Sequence, residues 1–186
     1  MASILLTAPA VEPLSLNDAK AFLRVEHDAE DDFIVALVAA ARLQVEAHTR
    51  RALIAQTWRL TLDRWPEDGR LTVRPAPLRD LVAARVYDAN NVAHTLDLQA
   101  FVIDTAASAL AFAPWGLAAP GRTSAGIELD VSVGYGEGAA DVPEPLRQAI
   151  RLMVAHGYEH RGGGTAAALL PSMVAALIAP YRMLSL

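Results

Sequence analysis

The chain has 186 residues, about one domain at roughly 150 residues per domain, and enough to bury roughly 70% of its unfolded surface without disulfides or metal staples. Apolar residues make up 53% and charged residues 20%, which excludes disorder across the chain, and the absence of cysteine excludes a disulfide scaffold, a thiolate nucleophile and sulfur-ligated metal. With 16 basic against 21 acidic side chains the net charge is -5, so no global attraction to nucleic acid is expected.

No run approaches the roughly 20 apolar residues of a membrane span. The start, Met1-Ala2-Ser3-Ile4-Leu5-Leu6, is apolar but has no cationic region before it and too short a core for a signal peptide, so a cytoplasmic protein is expected.

In chain order, Ser15 is placed to cap a helix over 15–24, with Asp18 in the capping-box position and Ala19, Phe22 and Leu23 as its stripe. A longer helix over 28–50 opens on Asp28, Glu30, Asp31 and Asp32, expected as a solvated first turn. It carries Phe33, Ile34, Leu37, Val38, Ala41 and Val45 at three- and four-residue steps. Periodicity then shifts toward two. Strands are expected at 56–63, 71–73, 81–87, 94–98, 101–104, 109–112 and 127–133, as one small antiparallel sheet inserted over about 56–134. Asp88-Ala89-Asn90-Asn91 has the composition of a hairpin loop, and 114–125 that of a surface loop. A helix over 145–161 starts at Pro143-Glu144-Pro145 and ends at Arg161 and the linker Gly162-Gly163-Gly164. A last one, 171–180, stops at Pro180. The expectation is an α+β fold, mainly a helical bundle with a β lobe, forming a single domain over 1–186 with a short tail at 180–186.

The sharpest catalytic-looking string is His156-Gly157-Tyr158-Glu159-His160, which fits the H-x-x-E-H spacing of inverted zinc peptidases. On a helix, positions i and i+4 bring two imidazoles to one metal. A third ligand is missing, because no Asp or Glu follows Arg161, so the two histidines are expected to be surface or interface residues. Gly134-Tyr135-Gly136-Glu137-Gly138 lacks the following helix and lysine of a phosphate loop and reads as a strand-ending turn. No G-x-S-x-G is present. Trp58 and Trp65 lie in or beside strand patterns, where packing is their ordinary role, and Trp115 lies in the loop. Arg50-Arg51 and Arg74, Arg79 and Arg85 are scattered cations, expected as solvated faces. No catalytic, cofactor or metal site is assigned. The alternatives are a zinc metallopeptidase using His156 and His160, and a small binding module gripping a peptide or sugar with its sheet and the Trp115 loop.

The order of signatures resembles the head–tail connector, or adaptor, proteins of long-tailed phages, prophages and gene transfer particles. The matching pieces are Glu12-Pro13-Leu14-Ser15-Leu16-Asn17-Asp18-Ala19-Lys20-Ala21-Phe22-Leu23-Arg24-Val25 and the acidic start at Asp28 to Asp32, then Thr49-Arg50-Arg51-Ala52-Leu53-Ile54-Ala55-Gln56-Thr57-Trp58 and Val133-Gly134-Tyr135-Gly136. They continue with Val142-Pro143-Glu144-Pro145-Leu146-Arg147-Gln148-Ala149-Ile150 and close on Ala179-Pro180-Tyr181-Arg182. His160 departs from the polar non-histidine residue usual there.

The resemblance implies a structural protein without cofactors, forming a ring of about twelve copies beneath a portal. The ring would join capsid to tail, extending the DNA channel. Its expected partners are itself, the portal protein and a tail-proximal stopper or tail terminator, with DNA passing without sequence-specific binding and no membrane contact. It would assemble in the bacterial cytoplasm and end in the virion neck. The apolar sides of helices 28–50 and 145–161 offer surface for the ring, and the net charge suits a channel wall that does not hold DNA. Tyr181, Arg182, Met183, Leu184 and Leu186 are the candidate portal contacts.

Overall fold

The structure is a computed structural model and describes residues 2–161 and 170–183. It is α+β. Four helices, α1 (Leu16–Leu23), α2 (Asp31–Thr49), α3 (Glu144–Glu159) and α4 (Ser172–Ile178), accompany eight strands among the described residues. The expectation of a mainly helical bundle needs correction, because strands have a share of the chain comparable with the helices and form a unit of their own.

The chain path gives two compact units, one of residues 1–10 and 55–135, the other of 11–54 and 136–186. In the strand unit, β1 (Ala2–Thr7), β2 (Gln56–Leu62), β3 (Arg70–Thr72), β4 (Leu78–Tyr87), β5 (Ala93–Thr95), β6 (Phe101–Asp104), β7 (Ala109–Phe112) and β8 (Ile127–Val133) form two sheets, where one was expected. The larger has the order β1-β2-β8-β4-β5, every neighbouring pair antiparallel; the smaller is β3-β7-β6. Alternation explains the larger sheet: Leu60 and Leu62 of β2, Leu129 and Val131 of β8, and Leu81, Ala84 and Val86 of β4 are buried. Beneath the smaller sheet Trp65 meets Phe112 edge-on at 5.1 Å and Phe101 at 6.0 Å, while its indole N–H donates to the Ala118 carbonyl at 2.9 Å. Trp65 thus packs as its strand-side position implied. Gly134, at φ 122, turns the chain out of β8 in a conformation that a side chain would strain.

In the helical unit Ser15 caps α1 as expected: its hydroxyl accepts from the Asp18 amide at 3.1 Å and donates to the Asp18 carboxylate at 2.7 Å. The core gathers Ile34, Val38 and Val45 of α2 with Leu146, Ile150 and Val154 of α3 and Val174 and Ile178 of α4. Gly157 gives α2 room against α3, since a Cβ there would lie 2.9 Å from Leu37 Cδ2.

The helix expected from residue 28 begins instead at Asp31; Asp28 and Asp32 are exposed as expected, while Glu30 and Asp31 are half-buried. Asp28 and Asp31 clamp the Lys20 ammonium of α1 at 2.5 and 2.7 Å. Glu30 accepts from the Tyr158 hydroxyl and pairs with Arg161 at the end of α3, and that contact with Arg161, above all, lowers its carboxyl to about 2. Side chains that diverge at the start of a helix reach different neighbours, which ties α2 to α1 and to α3 separately.

Candidate interaction surfaces

No helix among the described residues is long and apolar enough to cross a membrane, and no group of three His, Asp or Glu side chains there is placed to hold a metal ion. His156 and His160 stack at the exposed end of α3 with ring centres 4.3 Å apart, and His160 Nδ1 lies 2.9 Å from the His156 carbonyl oxygen.

Several of the charged side chains pair with one another. Arg42 bonds Glu12 at 2.7 Å and Glu46 at 2.9 Å, and the Leu53 amide donates to the other Glu46 oxygen at 2.9 Å, which fastens the segment before α1 and the segment after α2 to that helix. In the large sheet, Asp130 of β8 lies between Arg59 of β2, which grips it through Nε at 2.7 Å and a second nitrogen at 2.9 Å, and Arg85 of β4 at 2.8 Å. Arg85, expected as a solvated cation, is therefore part of an ion-pair ladder.

The surplus on the surface is apolar. From Phe33 to Ala47 α2 carries only Arg42, Gln44 and Glu46 as polar residues, and two of these are consumed by the pairs just described. Its outer stripe is Ala36, Ala40, Leu43 and Ala47, all exposed, with Leu43 at 57% and Val35 at 47%. Val35 also lines a shallow groove with Val11, Leu14, Leu16 and Val38. A helix that is apolar all round ordinarily has a neighbour on every side. The apolar side of α3, expected to offer similar surface, is instead used inside the unit, and no large apolar residue of α3 is exposed.

Of the expected portal contacts, Tyr181 closes a 3-10 turn, and its carbonyl accepts from Arg51 Nε at 2.7 Å. The Met183 amide donates to the Thr49 carbonyl at 3.2 Å, and the Arg182 side chain is exposed. The backbone of 181–183 is thus fastened to the end of α2 and the residue pair after it, a link between segments some 130 residues apart in the chain. Leu184 and Leu186, like the Gly162-Gly163-Gly164 linker, lie outside the described residues.

A family model described as phage gp6-like head–tail connector protein matches residues 13–93. Solved chains are similar over the whole length. One, from the virion of a native gene transfer agent particle, is 27% identical at a TM-score of 0.84, covering 100% of this chain and 97% of that one. Another, from the neck of an empty gene transfer agent particle computed with C6 symmetry, is 28% identical at a TM-score of 0.80, again covering 100% and 97%. A third, from the neck of a native particle computed with C12 symmetry, is 28% identical at 0.74, covering 98% and 97%. No curated protein matches the sequence. The resemblance drawn from the sequence therefore stands: the chain carries the phage gp6-like head–tail connector signature over residues 13–93 and has, along its whole length, the fold of a gene transfer agent neck chain.

Proposed function

We propose that this protein is a structural adaptor that forms a ring of about twelve copies beneath the portal of a phage-like particle, joins capsid to tail and acts through its surfaces alone. The observation that carries this reading is the full-length similarity to a chain in a neck computed with C12 symmetry. The apolar outer stripe of α2 supports it, because a closed ring needs each copy to cover a surface of the next. The pairing of Arg59 and Arg85 with Asp130 and the net charge of -5 suit a lumen through which DNA passes without being held by counterion release. Particles produced without this protein are expected, in negative stain, to be filled heads separated from free tails. Complete tailed particles would overturn the reading.

The segment from Tyr181 is assigned to the portal side. Its backbone is fixed at Thr49 and Arg51, so the exposed Arg182 side chain, of a type that often anchors interfaces, is held in a defined place. Deleting 181–186, or replacing Arg182 with Glu to keep the backbone bonds, is expected to weaken co-sedimentation with portal rings roughly tenfold or more. Undiminished binding by both variants would remove the segment from the contact.

A further inference from the structure

We propose that the five-stranded sheet continues from one copy to the next, the β1 edge of each subunit pairing with the β5 edge of its neighbour; this rests on the ring reading above. The two strands end the sheet on opposite sides. All six residues of β1 are exposed, including Ile4 at 53% and Leu5 and Leu6 at 44%, so apolar side chains stand uncovered on both faces of the strand. Edge strands in soluble proteins are ordinarily guarded by a charge, a proline or shortness. Ala2–Thr7 contains neither charge nor proline and is six residues long; one irregularity in its pairing, between Leu5 and Thr7, is its only break. Such an edge is a template for a further strand.

The structure also offers the strand. In β5 the Val92 carbonyl accepts from Asp88 and the Leu96 amide donates to Ala84, so residues of that parity face β4, and the main-chain groups of Ala93 and Thr95 face outward. All three residues of β5 are exposed, and Val92 beside them is 52% exposed. The only ionisable side chain on β5, His94, is already engaged by Asp88 at 3.0 Å, so an uncharged β1 meets no unpaired charge there.

Direction selects the occupant. Every neighbouring pair is antiparallel, so β1 and β5, four steps apart in the order, run the same way. Joining them head to tail gives a parallel pair between two different surfaces, the heterologous contact that closes a ring. Two β1 strands meeting about a two-fold axis would make a dimer and stop. A neck chain of this fold occurs under C12 symmetry, which favours the first.

The cysteine-free sequence permits a direct test. Neighbouring strands lie about 4.8 Å apart, within the span a disulfide bridges. Cysteine is placed in turn at Ala2, Ser3, Ile4, Leu5, Leu6 and Thr7, each combined with Thr95→Cys, a scan of every β1 position, and assembled necks are mildly oxidised. At least one pair is expected to give a ladder of covalent multimers on a non-reducing gel, while each single variant stays monomeric. Dimers from a β1 cysteine alone would mean two-fold pairing and overturn the proposal. Rings visible by negative stain with no ladder from any pair would overturn it while leaving the adaptor reading intact. Absence of rings in every preparation would overturn both.

Discussion

Replacing Asp130 with alanine is expected to lower the melting temperature by roughly 5–10 °C. The residue is 5% exposed in the middle strand of the large sheet, opposite Arg59 and beside Arg85. Removing it leaves two guanidinium groups converging on an empty space, with Glu128, 3.3 Å from Arg59, as the nearest remaining carboxylate. Breaking a fully buried pair costs about 3–5 kcal/mol. Here the arginine side chains are 28% and 30% exposed, so water screens part of the loss and about 2–3 kcal/mol is expected. For a chain of this length each kcal/mol moves the midpoint by roughly 2–4 °C.

The same residue gives the effect a pH signature. The hydrogen bond from Arg59, then that from Arg85, holds the Asp130 carboxyl below the usual carboxylate range. Its folded pKa is therefore below the unfolded value near 3.9, so the stabilisation is complete above that value and disappears as pH falls through the folded pKa. Thermal melts of wild type and Asp130→Ala should differ by a constant amount above about pH 5, and the gap should shrink progressively as pH falls below the unfolded value near 3.9. A gap that persists undiminished into acid would show that packing, not charge, is responsible.

The second large effect concerns assembly. With Ala40→Glu and Leu43→Glu together, rings are expected to be lost in favour of monomers, while the melting temperature of the free chain stays within about 2 °C of wild type. Both positions are exposed in the single subunit, where glutamate is solvated. Covering α2 with a neighbour would strip water from both carboxylates at every contact around the ring, at roughly 2 kcal/mol or more each. Sedimentation of the free chain and negative stain of assembled necks read the two halves of the prediction. Rings that survive both substitutions would place the interface elsewhere.

What the sequence made legible was local. The Ser15 cap, the stripes of α3 and α4, and the two-residue alternation of β2 and β8 each depend on neighbours a few residues apart; of the stripe expected on α1 only Ala19 is buried, and Phe22 is 41% exposed. Strands β6, β7 and β8 lie where their patterns placed them. Strand β1 was missed because a short segment whose apolar residues Ile4, Leu5 and Leu6 run together without alternation has no internal signature, and its partner, β2, lies some fifty residues away. The division into two sheets was hidden for a related reason: periodicity identifies a strand and says nothing of which strand it pairs with. Asp28 and Asp32 are exposed as read, and the partners of Asp28, Glu30 and Asp31 went unread because Lys20, Tyr158 and Arg161 come from other elements. On α2 itself the inward and outward stripes are both apolar, so only the fold separates the core positions Ile34, Val38 and Val45 from the uncovered Leu43.

Each compact unit draws on two stretches separated in the chain, which constrains synthesis as well as shape. Helix α2 leaves the ribosome early, yet the core it needs waits for α4, which ends at Ile178. At translation rates of about 5–20 residues per second that delay is on the order of ten seconds, spent with one of the most apolar helices of the chain unsheltered. Nascent subunits should therefore be prominent clients of ribosome-associated chaperones, and no stalled or truncated product ending before α4 can pass for a finished building block.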